Sequence, residues 1–289
     1  MSPARLLPWL LRAAWVVLPV AAGPAFDDAL SGRSGGVQSA GSVLLWAGWA
    51  TVLCASLVLH PAALTVVRMG TPAAVVAAFV AALGGSSVGA ATAAAVATLV
   101  ATFAAFLPTI GVAFVNGAAY PNERRFPLRP PGPLVVGPIV VAWTLAVALP
   151  ATGVMLLAAG RPVVGGVATV AGVASAVVLS RSMYSLARRW IVFVPAGVVV
   201  HDPLTLADPV LLRRRDVTSL ALAPGTTDAL DLTARAFGLA IEIAARDEAT
   251  LVLVTPRSRT PVTERATKLL VTPTRPGAVL AEARARRFD

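Results

Sequence analysis

The residues that could do chemistry are few. In 289 residues there are two histidines, His60 and His201, and one cysteine, Cys54. A structural zinc site needs about four N or S ligands, so a histidine- or cysteine-based metal centre is excluded, as are a CxxC pair and a disulfide framework. His60 precedes Pro61 at the end of an apolar stretch and reads as a helix terminus. The carboxylates Asp202, Asp208, Asp216, Asp228 and Asp231 fall at turns and strand edges, where aspartate ordinarily accepts from backbone N–H groups. There is no G-x-S-x-G, no carboxylate pair at helical spacing and no glycine-rich loop opening a helix. The expectation is a chain without catalytic residues, metal or cofactor.

What remains is arginine. The chain carries 24 basic and 14 acidic residues, and every basic residue except Lys268 is an arginine. Arg213, Arg214 and Arg215 form one cluster, Arg284, Arg286 and Arg287 another, and Arg124, Arg125 and Arg129 sit in a proline-rich loop at 118–133. Beneath an anionic leaflet, each arginine gains about 1 kcal/mol, so these groups are candidates for lipid or partner contact. The competing reading is a solvated face, because Asp216 and Glu282 lie beside the two tail clusters. For the loop, it is a topology signal. No aromatics are interleaved with the basic residues, so nucleic acid is not an expected partner.

A second candidate lies in an apolar stretch. Thr98, Thr102, Thr109 and Asn116 project within about 40° of one another at 100° per residue. Such a stripe could line a water-filled path or a headgroup groove. Alternatively, threonine hydroxyls bond carbonyls four residues back and Asn116 sits at the interface.

The elements that must position these residues follow from hydropathy. Mean hydropathy is +0.78 and 13% of residues are charged, against roughly 25% in soluble domains. This excludes a disordered chain and an ordinary cytosolic enzyme. Residues 1–180 are almost uncharged, and the remainder has globular composition. Spanning needs about 20 apolar residues, and six segments qualify: 6–22, 41–59, 71–83, 89–117, 134–157 and 162–180. The third is short and could start near Ala62, with Arg68 snorkelling to the headgroups. In the fourth, Pro108 predicts a kink. Trp9 and Trp15 are expected interface anchors, and residues 26–40 are expected outside the membrane. The first segment reads as a retained helix; the rival reading is a cleaved signal peptide, which Pro8, Pro19 and the lack of a compact A-x-A site disfavour.

The spans contain no aspartate, glutamate or lysine; only Arg12 and Arg68 are intramembrane charges. Ion-coupled carriers need such groups, so a coupled transporter is disfavoured. Gly165, Thr169, Gly172 and Ala176 form a small-residue face for helix packing. Arginines at alternate span ends divide unequally. Arg5, Arg68, Arg124, Arg125, Arg129, Arg181, Arg188 and Arg189 fall on one side, Arg33 and Arg161 on the other. By the positive-inside rule, both termini are cytoplasmic.

After Arg188 the pattern turns to strands at 190–194, 198–201, 210–214, 218–222, 229–234, 238–244 and 250–255, with a further one at 268–271. Pro195-Ala196-Gly197 is a three-residue hairpin turn. Leu239, Ile241 and Ile243 should share one face. Pro256 is among the turn signals. A helix over 276–287 closes the chain, with Pro276 at its first position, Thr274 as cap, and Val279, Leu280 and Ala283 packed on the sheet.

The expected fold is therefore a six-span α-helical bundle over 1–187 and a small antiparallel β-barrel or sandwich with one helix over 188–289. The latter resembles the bacterial pleckstrin-homology-like (PH-like) domain. The residues carrying this are R-R-W-I-V-F-V-P-A-G-V-V-V-H-D-P at 188–203, R-R-D-V-T-S-L-A-L at 214–222 and T-P-T-R-P-G-A-V-L at 272–280. With the spans, the chain is similar to an uncharacterised family of actinobacterial multi-pass membrane proteins. The resemblance implies a non-enzymatic scaffold in the cell membrane, presenting its domain to anionic lipid or to another membrane or cytoplasmic protein. The alternative is a passive channel or lipid-handling transporter using the threonine stripe.

Overall fold

The computed structural model describes the backbone of residues 3–255 and 258–288, and side-chain surroundings for 6–254 and 262–288. The Arg5 side chain and the Pro256 turn lie outside the described residues. The chain forms two compact units, Met1–Phe114 with Val140–Met183, and Val115–Ile139 with Tyr184–Asp289. The expected boundary at 187/188 is thus incomplete, because the proline-rich loop belongs to the second unit.

The helices of the first unit begin with α1 (Pro3–Val16), α2 (Leu18–Ser31), α3 (Gly35–Leu57), α4 (Pro61–Leu83), α5 (Val88–Phe106) and α6 (Pro108–Asn116). After β1 (Arg124–Pro127) and the one-turn α7 (Gly132–Val135) come α8 (Pro138–Ala158) and α9 (Pro162–Ala187). Among the described residues, six stretches are long and apolar enough to cross a membrane: Leu6–Ser31, α3, α4, α5, α8 and α9.

The first of these continues past residue 22 through Ser31, so residues 26–40 are mostly helical. Its last turns carry Asp27 and Asp28, charges that the shorter boundary left out. The Asp28 carboxylate accepts from the Ser87 N–H ahead of α5 at 3.0 Å. The stretch breaks at Val17, because Pro19 has no N–H to offer the Trp15 carbonyl. Trp49 Nε1 donates to that carbonyl at 3.0 Å, and Trp15 Nε1 donates to the Trp49 carbonyl at 2.9 Å. Trp15 is therefore buried between helices and is not an interface anchor.

The two arginines within the apolar helices, Arg12 and Arg68, do related work. A helix leaves its last four carbonyls without internal donors. Arg12 Nε donates to the Ser56 carbonyl at 3.0 Å and Nη2 to Leu57 at 3.4 Å, at the end of α3. Arg68 Nε donates to the Ala105 carbonyl at 3.3 Å, where Pro108 stops α5. The Arg68 guanidinium also packs over the Phe106 ring at 5.5 Å. His60 caps α4 as expected, its Nδ1 accepting from the Ala62 N–H.

The small-residue face on α9 meets α8. A Cβ at Gly172 would lie 2.5 Å from the Pro150 nitrogen, and one at Gly165 2.6 Å from the Leu157 nitrogen. Backbones approach this closely only where side chains are absent.

The second unit holds β1 and α7 together with β2 (Trp190–Val194), β3 (Gly197–His201), β4 (Val210–Arg213), β5 (Val217–Leu222), β6 (Leu230–Asp231), β7 (Ile241–Thr255), β8 (Ser258–Val271) and α10 (Pro276–Ala285). They make two four-stranded sheets, in orders β1-β2-β3-β4 and β5-β7-β8-β6, neither closed into a barrel. β6 runs parallel to β8, so the unit is not wholly antiparallel. The segments 238–244 and 250–255 are one bulged strand, β7, and 229–234 is strand only over Leu230–Asp231. Ile241 and Ile243 are fully buried, but Leu239 precedes the strand and is exposed. The core joins Phe126 and Leu128 to Ile191, Phe193, Val198, Val200, Ile241 and Ile243, with Val279, Ala283 and Phe288 closing over it. Arg275, not Thr274, stands at the cap of α10, without a side-chain cap bond.

Candidate functional site

Arg287 of the second tail cluster joins Arg213, Arg214 and Arg215 on one surface. Antiparallel register sets Arg213 on β4 opposite Gly197 on β3. The strands are tight here: a Cβ at Gly197 would lie 2.0 Å from the Leu212 carbonyl oxygen. Close approach of β4, rather than a three-residue turn, therefore requires this glycine. Val194 pairs with Gly197, leaving Pro195-Ala196 as the turn. The Arg214 N–H donates to the Ala196 carbonyl at 2.8 Å. The Arg214 guanidinium lies 5.2 Å over the Phe288 ring and donates to the Arg286 carbonyl. These contacts bring together an open depression lined by Ala196, Leu211, Arg213, Arg214, Arg215 and Arg287.

Arg286 is committed elsewhere. It pairs with Glu282 at 2.7 Å, lies 5.9 Å over Phe193 and donates to the Asn122 carbonyl at 3.1 Å. Arg215 stands 3.4 Å from Asp216, with three-quarters of its side chain exposed. Among the described residues, no carboxylate pairs with Arg213, Arg214 or Arg287. The site is a cluster of fixed, permanently charged donors, suited to carboxylate or phosphate oxygens.

Arg124, Arg125 and Arg129 do not act as a group. Arg124 is exposed on the edge strand, opposite Phe193. Arg125 pairs with Glu123 at 2.9 Å and lies 5.5 Å over Trp190. Hydrogen bonding to Arg125 holds the Glu123 carboxyl below its usual range. The Arg129 N–H donates to the Thr272 carbonyl at 2.8 Å. Residues 124–127 of the loop are thus a strand of the second unit.

The polar stripe is divided. Thr98 and Thr102 lie on α5 and Thr109 and Asn116 on α6, and the break at Leu107 ends the common helical projection. Thr98 Oγ1 donates to the Ala94 carbonyl at 2.8 Å. Asn116 clamps the Arg125 backbone, its Nδ2 donating to the carbonyl at 2.7 Å and its Oδ1 accepting from the N–H at 2.9 Å.

One polar group was hidden. Arg189 and Asp202 form a fully buried bidentate ion pair, Nε to Oδ1 at 2.7 Å and Nη2 to Oδ2 at 2.6 Å. Arg189 Nη1 donates to the Arg129 carbonyl at 2.7 Å, and Asp202 Oδ1 accepts from the Leu204 N–H at 3.1 Å. Next to it, His201 stacks on Trp190 at 5.1 Å. Burial, followed by the nearby Arg188 charge, lowers the His201 pKa. Its Nε2 is buried without a hydrogen-bond partner.

Asp231 and Asp228 make local contacts. Asp231 Oδ1 accepts from the Thr233 N–H at 2.7 Å. Asp228 bonds Lys268 at 2.7 Å, which lowers the carboxyl pKa and raises that of the amine. Among the described residues, no three histidine, cysteine or carboxylate side chains converge as a metal site. Comparison with known proteins gives no match to a family, a curated protein or a solved structure.

Proposed function

We propose that the chain is a non-enzymatic scaffold of the cell membrane whose soluble unit captures an acidic protein segment on the Arg213–Arg214–Arg215–Arg287 surface. The observation that carries this reading is the convergence of Arg213, Arg214 and Arg287, distant in sequence, on one depression, where among the described residues none of the three has a carboxylate partner. The strand register favours a protein over the bilayer. Pro127, which leads toward α8, pairs with Trp190, which follows α9, at one end of the first sheet. Arg213 and Gly197 stand at the other end. The arginines therefore lie at the end of this sheet opposite Pro127 and Trp190. On this reading the two sheets and α10 are an open relative of the PH-like architecture, used for binding. The excess of arginines beside alternate span ends supports cytoplasmic termini.

A photocrosslinking residue in place of Leu211, in native membranes, tests the proposal. The expected result is a protein adduct that disappears with Arg213→Glu and Arg287→Glu. Adducts to lipid alone, or protein adducts indifferent to charge reversal, would refute it.

A further inference from the structure

The soluble unit carries an apolar, basic loop between β6 and β7; Leu232 at its start is buried in the core, but Phe237 and Leu239 are used by neither the core nor the arginine surface. Phe237 and Leu239 are each 63% exposed. The loop is nonetheless held in a defined shape. Ala234 and Arg235 both adopt left-handed backbone conformations, φ 51° and 59°, although neither is glycine. Such conformations persist only where the surroundings enforce them. Here the Thr233 N–H donates to Asp231 Oδ1, the Arg235 N–H donates to Thr233 Oγ1 at 3.2 Å, and the Arg235 carbonyl accepts from the Gly132 N–H at 3.1 Å. The loop thus presents two large apolar side chains from a defined backbone shape.

The chain itself indicates an occupant for that surface. The Phe237 ring lies against Gly132, where a Cβ would come within 2.9 Å of Cε2. Gly132 opens α7, and α7 ends two residues before Pro138 begins the apolar span α8. Val135 and Val136 on that approach are exposed too, at 43% and 77%. The interfacial layer on each side of the hydrocarbon is roughly 5–7 Å deep, and one helical turn plus two residues covers a comparable distance. Residues 132–139 and the loop belong to the same compact unit, so the loop is carried on the root of a span. Two arginines complete the pattern. Arg235 is exposed two residues before Phe237, and the Arg129 side chain lies on Gly238, where a Cβ would sit 2.9 Å from Nε. That Nε is buried with no partner, and among the described residues neither arginine has a carboxylate partner.

We infer that the loop at 232–240 is an interfacial anchor: Phe237 and Leu239 enter the bilayer surface beside α8, and Arg129 and Arg235 bind headgroup phosphates. Apolar side chains flanked by arginine are the composition that partitions into this layer. The anchor rests on α8 crossing the bilayer and not on the ligand of the Arg213 surface, so either can fail alone.

The test uses the full chain with Cys54→Ser, reconstituted in vesicles of phosphatidylcholine and phosphatidylglycerol. Phe237→Cys, Leu239→Cys and, as an exposed control, Asp247→Cys are each labelled with an environment-sensitive fluorophore. Probes at 237 and 239 are expected to shift to the blue, to be quenched by nitroxide lipids and to resist aqueous iodide. The probe at 247 is expected to do the reverse. Iodide access at 237 and 239 without nitroxide quenching overturns the anchor. Protection from both quenchers overturns it as well, because protein then covers the loop. Arg129→Gln with Arg235→Gln is expected to reduce nitroxide quenching at 239 at least two-fold; unchanged quenching overturns the phosphate contacts.

Discussion

At the scale of single residues, the Arg189–Asp202 pair is where the soluble unit is most exposed to damage. Both side chains are out of water, so removing one leaves the other charge unmatched. Arg189→Met or Asp202→Asn is expected to cost about 3–5 kcal/mol, whereas Arg189→Met with Asp202→Leu recovers most of the loss. Chemical unfolding of the detergent-solubilised chain, with all three variants compared, checks this. The neighbouring His201 adds a pH dependence of known sign. Its folded pKa lies below the ordinary 6.5, so the unfolded chain binds the proton more readily. Its stabilising contribution is complete above about 6.5 and is lost as the pH falls from there toward the lowered folded value. His201→Phe, which keeps an aromatic ring on Trp190, should flatten that part of the pH profile of thermal unfolding; an unchanged profile would contradict the assignment. The ion pair was within reach of the sequence. Counting Pro195-Ala196-Gly197 as a three-residue turn shifts the hairpin register by one. With the observed two-residue turn, Trp190 faces His201, and Arg189 falls opposite Asp202.

At the scale of elements, the six spans were legible because length and hydropathy are local properties, and the α9 packing face was legible because small residues recur on it. Gly172→Leu should therefore destabilise the α8–α9 contact by about 1–3 kcal/mol. Gly166→Leu, which meets nothing within 4 Å, should be near neutral; detergent thermal melts of both compare them. Helix ends were less legible, because partners distant in sequence set them. The first span divides at Val17 since Trp49 satisfies the carbonyl that Pro19 abandons. α5 can stop at Phe106 since Arg68, from α4, reaches its end. The same non-locality concealed β1: four residues with two arginines and a proline have no strand signature, and only pairing with β2 makes them one. Phe126→Ala is expected to cost about 3–5 kcal/mol, as a core position would and a loop position would not. Loss of the tail's near-ultraviolet dichroism at lower denaturant measures this.

At the scale of the whole molecule, the soluble unit is assembled from two stretches of chain separated by α8 and α9. The segment 184–289 expressed alone lacks Phe126 and Leu128 and should expose an incomplete core. Supplying 115–139 as a peptide should restore protection from proteolysis. If the fragment alone is as resistant as the intact chain, the two-segment reading fails. The candidate site shares this scale: no inspection of the clusters at 213–215 and 284–287 separately predicts that Phe288 and the Arg286 carbonyl draw Arg214 across to join them. The pairing of β1 with β2 also has a consequence during synthesis. β1 leaves the ribosome about 60 residues before its partner and waits unpaired while the intervening hairpin of helices is threaded into the bilayer. If only one of the two helices crosses, the strands are stranded on opposite faces and the sheet cannot form. Completion of the second unit's fold therefore requires both helices between β1 and β2 to return the chain to the side from which it left.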